Sequence, residues 1–174
     1  EINSVPDLSA PDGIGGTWLI DPENINITTA QANITQGGSG DPGPVTFAPT
    51  AINTATTIDV ANINTALNNG SNVTINTASA GTATAGTITV SSAISKTLDG
   101  GSANGSTLTL TANDDIVVNA TISSTTGTLS IVFSATNDVD INSTITTNGG
   151  SFTSSGTTFD NTGGAITTSG GAVD

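Results

Sequence analysis

The chain has 174 residues and a formal net charge of −13, with Lys96 as its one basic residue and no His, Cys, Met or Tyr. That inventory excludes nucleic-acid binding through Lys and Arg, nucleophilic triads that need a His or Lys base, and transition-metal sites built on His or Cys. Apolar residues make up 34%, aromatics are limited to four Phe and one Trp, and Thr, Val and Ile abound. This predicts one all-β domain with a thin core repeated along an axis.

In chain order, residues 1–50 hold every proline and read as the more irregular part. Proline is excluded from central strands, so residues 1–15 and 36–50 are expected to be irregular, with a long loop at Gln36–Pro44. Between them, Trp18-Leu19-Ile20 and Ile25-Asn26-Ile27 read as two strands around the turn Asp21–Asn24. Residues 51–174 read as regular turns of one unit. Ile58-Asp59-Val60, Leu67, Gly70 and Val73-Thr74-Ile75 match that unit loosely. Ile88-Thr89-Val90, Ile94 and Leu108-Thr109-Leu110 match it better, at an offset stretched to 28 by the loop Asp99–Ser106. Then Ile116, Val118 and Ile122 recur as Val139, Ile141 and Ile145 at an offset of 23. Ile145, Gly149-Gly150 and Phe152 recur as Ile166, Gly170-Gly171 and Val173 at an offset of 21.

A period in this range, with insertions between short strands, is a solenoid signal, and about five turns are legible. Each strand alternates apolar with Thr, Ser or Asn, so one face points inward. Each strand is too short to form a stable sheet by itself. Pairing with its own copy one turn on, about 4.8 Å away, solves this. The expected fold is a right-handed parallel β-helix over residues 1–174, with about 21–23 residues per turn. Ile116, Val118, Ile122, Leu129, Ile131, Val139, Ile141, Ile145 and Phe152 should point inward. The Gly-Gly pairs, Gly100-Gly101 among them, suit the corners. Asn119 and Asn142 either stack as an amide ladder or simply favour turns.

One string is specific. GGTWLIDPENINIT, from Gly15 to Thr28, resembles a segment of the large bacterial exoproteins of the filamentous haemagglutinin type, the secreted partners of two-partner secretion systems. INTALNNGSNVTI, from Ile63 to Ile75, is similar to that family's repeats, as are the units beginning at Asp115 and Asp138. The resemblance spans residues 13–150. It implies the right-handed β-helix, export through an outer-membrane transporter, a secreted or cell-surface location, and adhesion as the commonest role. The family's secretion domain is absent from the sequence, which predicts downstream material or a distinct short relative. The start at Glu1 without Met fits a mature product or an excised fragment, and the lack of Cys fits a bacterial extracellular protein. Trp18 is expected in the core or a cap.

Asp114, Asp115, Asp138 and Asp140 recur near one corner. Paired carboxylates serve glycosidases, but sites on acidic sugars also need cations, and turn-forming Asp explains the pattern without catalysis. No cofactor or metal is expected; Asp114, Asp115 and Asp138 are the weak candidates for a calcium ion, whose ligands are carboxylates and carbonyls. GGSGDPG, from Gly37 to Gly43, is a single copy and reads as a loop. Of the Asn-x-Ser/Thr sequons, Asn69 and Asn104 fall in expected loops and are the candidates for surface glycans. Thr82-Ala83-Thr84 and Thr109-Leu110-Thr111 do not align at the period above, which speaks against an ice-binding threonine ladder.

The expected function is a non-catalytic structural or adhesive module. Its partners would be protein or glycan surfaces, or copies of itself, with no nucleic acid and no membrane insertion. A filament subunit stacked end to end is the alternative, and a polysaccharide-active enzyme ranks below both.

Overall fold

The computed structural model describes residues 24–37, 44–49, 56–77, 86–99 and 105–174. Trp18, Thr82-Ala83-Thr84, Gly100-Gly101 and Asn104 fall outside them. The first strands are β1 (Ile25–Thr28), β2 (Ile34–Gly37), β3 (Val45–Pro49) and β4 (Thr56–Asp59). Helix α1 (Val60–Asn68) follows, then β5 (Val73–Asn76), β6 (Ile88–Val90), β7 (Ile94–Lys96) and β8 (Ser106–Ala112). The chain continues through β9 (Ile116–Val118), β10 (Ile122–Ser124), β11 (Leu129–Ala135) and β12 (Asp138–Ile141). It ends in β13 (Ile145–Thr146), β14 (Phe152–Ser155), β15 (Thr158–Asp160) and β16 (Ile166–Thr167). Among the described residues the fold is all-β apart from one short helix, and its sheets are dominantly parallel.

Three sheets account for these strands. The first has the order β15-β12-β9-β6-β1-β4, the second β16-β13-β10-β7, and the third β14-β11-β8-β5-β3-β2. From β5 onward the chain visits them in strict rotation, so each strand pairs with the one three places later. The register follows the sequence offsets. Ile116 lies beside Val139 and Val118 beside Ile141, Ile122 beside Ile145, and Ile145 beside Ile166. Phe152 makes an isolated parallel bridge with Val173.

The alternation along each strand decides which side is buried. β8 and β11 both alternate buried and half-buried residues over most of their seven positions. All nine residues expected to point inward are at most 1% exposed. They belong to one continuous cluster of Ile, Val, Leu and Phe from Ile25 to Phe152. Near its end Phe133 and Phe152 meet edge to face, with ring centroids 5.6 Å apart. That geometry suits the opposed charge of ring edge and ring face.

The corners between the second and third sheets reuse one device. A hydroxyl at the end of the strand donates to the carbonyl three residues on. Ser124 Oγ reaches Gly127 O at 2.8 Å, Thr147 Oγ1 reaches Gly150 O at 2.5 Å, and Thr168 Oγ1 reaches Gly171 O at 2.7 Å. Gly149 has a φ of +95° in the second of these turns, a conformation cheap only for glycine. Gly150 and Gly171 serve close approach instead. A Cβ on Gly150 would lie 2.2 Å from Leu129 O, and one on Gly171 would lie 2.0 Å from Gly150 O.

The structure corrects two expectations. Val60 and Leu67 belong to α1, not to a strand. Asp59 caps that helix by accepting from Ala61 N at 2.9 Å, and Val60, Ile63, Ala66 and Leu67 bury one helical face. Residues 45–49 are a strand despite Pro49, because β3 pairs with β5 only over Val45–Phe47. Pro49 lies beyond that pairing, at the end of an antiparallel ladder with β2, so the sheets are not wholly parallel. Of the two alternatives for Asn119 and Asn142, the amide ladder forms: both point outward, and Asn142 Nδ2 donates to Asn119 Oδ1 at 3.1 Å. Thr109 and Thr111 register with Thr74 and Asn76 on one side and with Val132 and Ser134 on the other, while Thr82 and Thr84 lie outside the described residues. A strict Thr-x-Thr repeat is still not formed.

A pair of substitutions checks the inside and outside assignment. Ile141→Asp, with the native side chain 0% exposed, is expected to cost at least about 3 kcal/mol, because the unpaired charge has no solvation in the apolar column. Thr109→Asp on the half-buried outer position is expected to cost under about 0.5 kcal/mol. Thermal melts of the two variants should separate clearly.

Candidate functional site

The most constrained polar group is the one no motif signalled. Lys96 is 0% exposed, in a chain with no other cation. Its strand reads Ile94-Ser95-Lys96, so period-2 alternation already places it on the same side as Ile94. Its ammonium donates to Leu67 O at 3.1 Å and to Leu98 O at 2.5 Å. Leu67 O also accepts from Ser106 Oγ at 3.0 Å and from Gly70 N at 3.1 Å. These donors gather at the C-terminal end of α1, where carbonyls lack partners and the helix dipole is negative. Burial lowers the Lys96 pKa from its ordinary 10.5, and the Asp99 carboxylate acts in the opposite sense.

The same helix treats the free side of β7 in an unusual way. Asn64 Oδ1 accepts from Ser95 N at 2.9 Å. Asn68 Oδ1 accepts from Thr97 N at 2.7 Å and from Leu98 N at 2.9 Å. Asn69, the glycan candidate, is exposed at the C-cap of α1.

The carboxylates gather elsewhere, on the outer side of the first sheet. Asp140 lies beside Asp160 in the pairing of β12 with β15, and Asp138 precedes it on the same face. Burial first, then the charges of Asp138, Asp115 and Asp160, raise the Asp140 pKa above its ordinary 3.8. Asp160 itself is held low by hydrogen bonds from Thr162. Asp115 Oδ1 accepts from Asn137 Nδ2 at 3.0 Å and from Asp138 N at 3.1 Å, as a turn acceptor does. Asp114 is drawn away from them: its Oδ2 accepts from Thr87 Oγ1 at 3.5 Å. Among the described residues no three acidic groups are placed to hold a metal ion together. The structure thus brings Asp115, Asp138 and Asp140 together, adds Asp160, and leaves Asp114 in a separate contact.

The outer side of the third sheet is different in kind. Thr74, Thr109, Val132 and Thr153 form one row, and Asn76, Thr111, Ser134 and Ser155 the next. Neither row carries a charge. A depression of about 340 Å³ lies at the edge of the first sheet, lined by Asn24, Ile25, Asn26, Thr56, Thr87 and Thr89. Its polar lining is amide and hydroxyl throughout. Among the described residues no helix is long and apolar enough to cross a membrane.

Comparison with known proteins finds no family model that matches the chain, and no curated protein or solved structure that does.

Two titrations probe these environments. With no Tyr, Cys, His or Arg, Lys96 is the side chain that governs stability in alkali. Its folded-state pKa is depressed, so between that value and 10.5 the unfolded chain holds more protons. Stability therefore rises with pH across that window. Denaturant midpoints measured from neutrality to pH 10.5 should show the rise in the wild type and lose it in Lys96→Met. Asp140 works the other way. Its folded-state pKa is raised, so stability rises as pH falls toward 3.8. Asp140→Asn should raise the melting temperature at neutral pH and flatten that acid-side gain.

Proposed function

We propose that this chain is a non-catalytic β-solenoid module of a secreted or surface-displayed bacterial protein of the filamentous haemagglutinin type. The observation that carries the reading is the rotation of the chain through three sheets, with every described strand from β8 to β13 burying an apolar residue on its inward side. A right-handed parallel β-helix of about 21–23 residues per turn accounts for that rotation and for the matched offsets. Each turn then adds inward residues to a shared core and outward residues to three long faces.

Contact is the chemistry such faces suit. The third sheet offers neutral hydroxyls and amides in rows set by the strand spacing of about 4.8 Å. The first sheet offers the amide- and hydroxyl-lined depression beside its carboxylates. Neutral glycans and polar protein surfaces are complementary to both, through many weak bonds that add by avidity. The outward placement of the carboxylates on an open sheet, not in a cleft, favours this over hydrolysis, which needs two carboxyls flanking a held substrate.

The purified chain, immobilised on beads, should retain binding to a panel of neutral glycans and extracellular proteins when Asp114, Asp115, Asp138 and Asp140 are all changed to Asn. Binding should fall when Thr109, Thr111 and Thr153 are changed to Lys. Turnover on any glycan that disappears in the four-Asn variant would overturn the reading in favour of an enzyme.

A further inference from the structure

Below β7 the stack changes its contents. Counting away from β6, β7 and β8, the first sheet continues through β1 to β4 and the third through β5 to β3, while α1 takes the place of second-sheet strands. Asn64 Oδ1 and Asn68 Oδ1 hold that helix along β7. An α-helix with its side chains is about 10 Å across. Two strand spacings come to about 9.6 Å, so α1 takes the height of two strands. The stretch from β4 through α1 to β5 brings only one strand to the first sheet. Asp59 ends β4 and caps α1, so the helix fixes where β4 lies. β4 stands two strand spacings from β6, and a slot one strand wide separates them.

β1 fills that slot, out of chain order. It is parallel to both walls and in one register with them: Ile25 lies beside Thr56 and Ile88, and Ile27 beside Ile58 and Val90. Ile25 and Ile27 are at most 1% exposed and continue the inward columns. On the β6 side Ile25 N donates to Thr87 O at 3.0 Å, Ser91 N to Ile27 O at 2.9 Å, and Thr87 N to Asn24 Oδ1 at 2.9 Å. The β4 side is looser. Thr56 N reaches Asn24 O only at 3.4 Å. Thr57 Oγ1, beside Asn26, is buried with no hydrogen-bond partner among the described residues. The depression described above opens at the same place, with residues of all three strands in its lining.

These are the terms of strand addition, in which backbone bonds supply the hold and alternate side chains the selectivity. The strand this slot holds is Ile25-Asn26-Ile27. A second copy carries an identical strand, able to make identical contacts, and a reciprocal exchange of that kind closes as a dimer. We propose that the space between β4 and β6 is a strand-acceptor site, propped open by α1, that takes the β1 strand of a second copy of this chain in exchange for its own. The inference rests on the stacked-coil reading above.

The chain has no Cys, so introduced cysteines report on neighbours. Registered positions on adjacent strands lie about 4.8 Å apart, within disulfide reach, and Asn26 and Thr89 are such a pair. In the first arm Ile25→Asp/Ile27→Asp empties the slot of a chain that also carries Thr89→Cys. A synthetic peptide of residues 23–29 with Asn26→Cys should form a disulfide with that chain severalfold faster than with a Thr89→Cys chain whose β1 is intact. The same peptide with Ile27→Asp should lose the advantage. In the second arm the Asn26→Cys chain and the Thr89→Cys chain are refolded together at high concentration. Oxidation should give a mixed dimer that is lost when Thr109→Cys replaces Thr89→Cys. This arm leaves Ile25 and Ile27 in place and serves if the double Asp variant unfolds. A folded acceptor that captures neither peptide, or both alike, overturns the site. Peptide capture with no mixed dimer overturns the second copy as the partner. Failure of the stacked-coil reading has a separate signature, since Ile141→Asp and Thr109→Asp would then melt alike.

Discussion

Everything in this structure depends on strands lying in register over their own copies. A parallel ladder brings residue to residue at a spacing of about 4.8 Å, so an apolar side chain is buried only if the strand before and the strand after offer one at the same place. Ile88, Ile116 and Val139 satisfy that condition across three strands of the first sheet. A slip by one residue would turn all of them outward together. The corner hydrogen bonds from Ser124, Thr147 and Thr168 fix the chain length between sheets and so hold the register in place. The side-chain amides at α1 do related work at the free side of β7, where among the described residues no further strand pairs with it.

The regular part was legible because this register leaves a trace in sequence. Val118 and Ile141, or Ile122 and Ile145, sit at the same offset in the sequence and side by side in the ladder. The same logic failed wherever a segment departs from it. Residues 60–68 carry apolar positions at 60, 63, 66 and 67, a helical spacing, yet Ile58 and Val60 by themselves look like alternation. Pro49 marked its surroundings as irregular, although only its own N–H is missing and its pairing with β5 has already ended. Lys96 was visible as a composition oddity. Its burial followed from the alternation with Ile94, but its partner Leu67 O lies 29 residues earlier in the chain, at the end of a helix the alternation did not suggest.

The candidate site was legible only in its inventory. Repeated Asp at turns placed Asp115, Asp138 and Asp140 on one side of the first sheet, and the ladder then added Asp160 through its pairing with Asp140. No pattern in the sequence separated Asp114 from them, because its partner Thr87 comes from the preceding strand row. The result is a segregation by face. Carboxylates that repel one another share the first sheet, and burial first, then that repulsion, raises the Asp140 pKa. Hydroxyls and amides occupy the third. A strongly acidic chain thereby keeps the described outer rows of the third sheet free of charged side chains.

The glycines at the corner between the second and third sheets carry a consequence for how the chain can vary. Gly171 rests on the backbone of Gly150, and Gly150 on that of Leu129, so each turn is the floor of the next. A longer or bulkier turn at either place would have to be matched by its neighbour at once. Among the described residues the corner after β7 is the first of this series, with α1 beneath it. That is where the segment between β7 and β8 is lengthened. New loop sequence is therefore free to accumulate at the end of the series and is excluded from its middle, so that diversity among such chains would concentrate at one extremity.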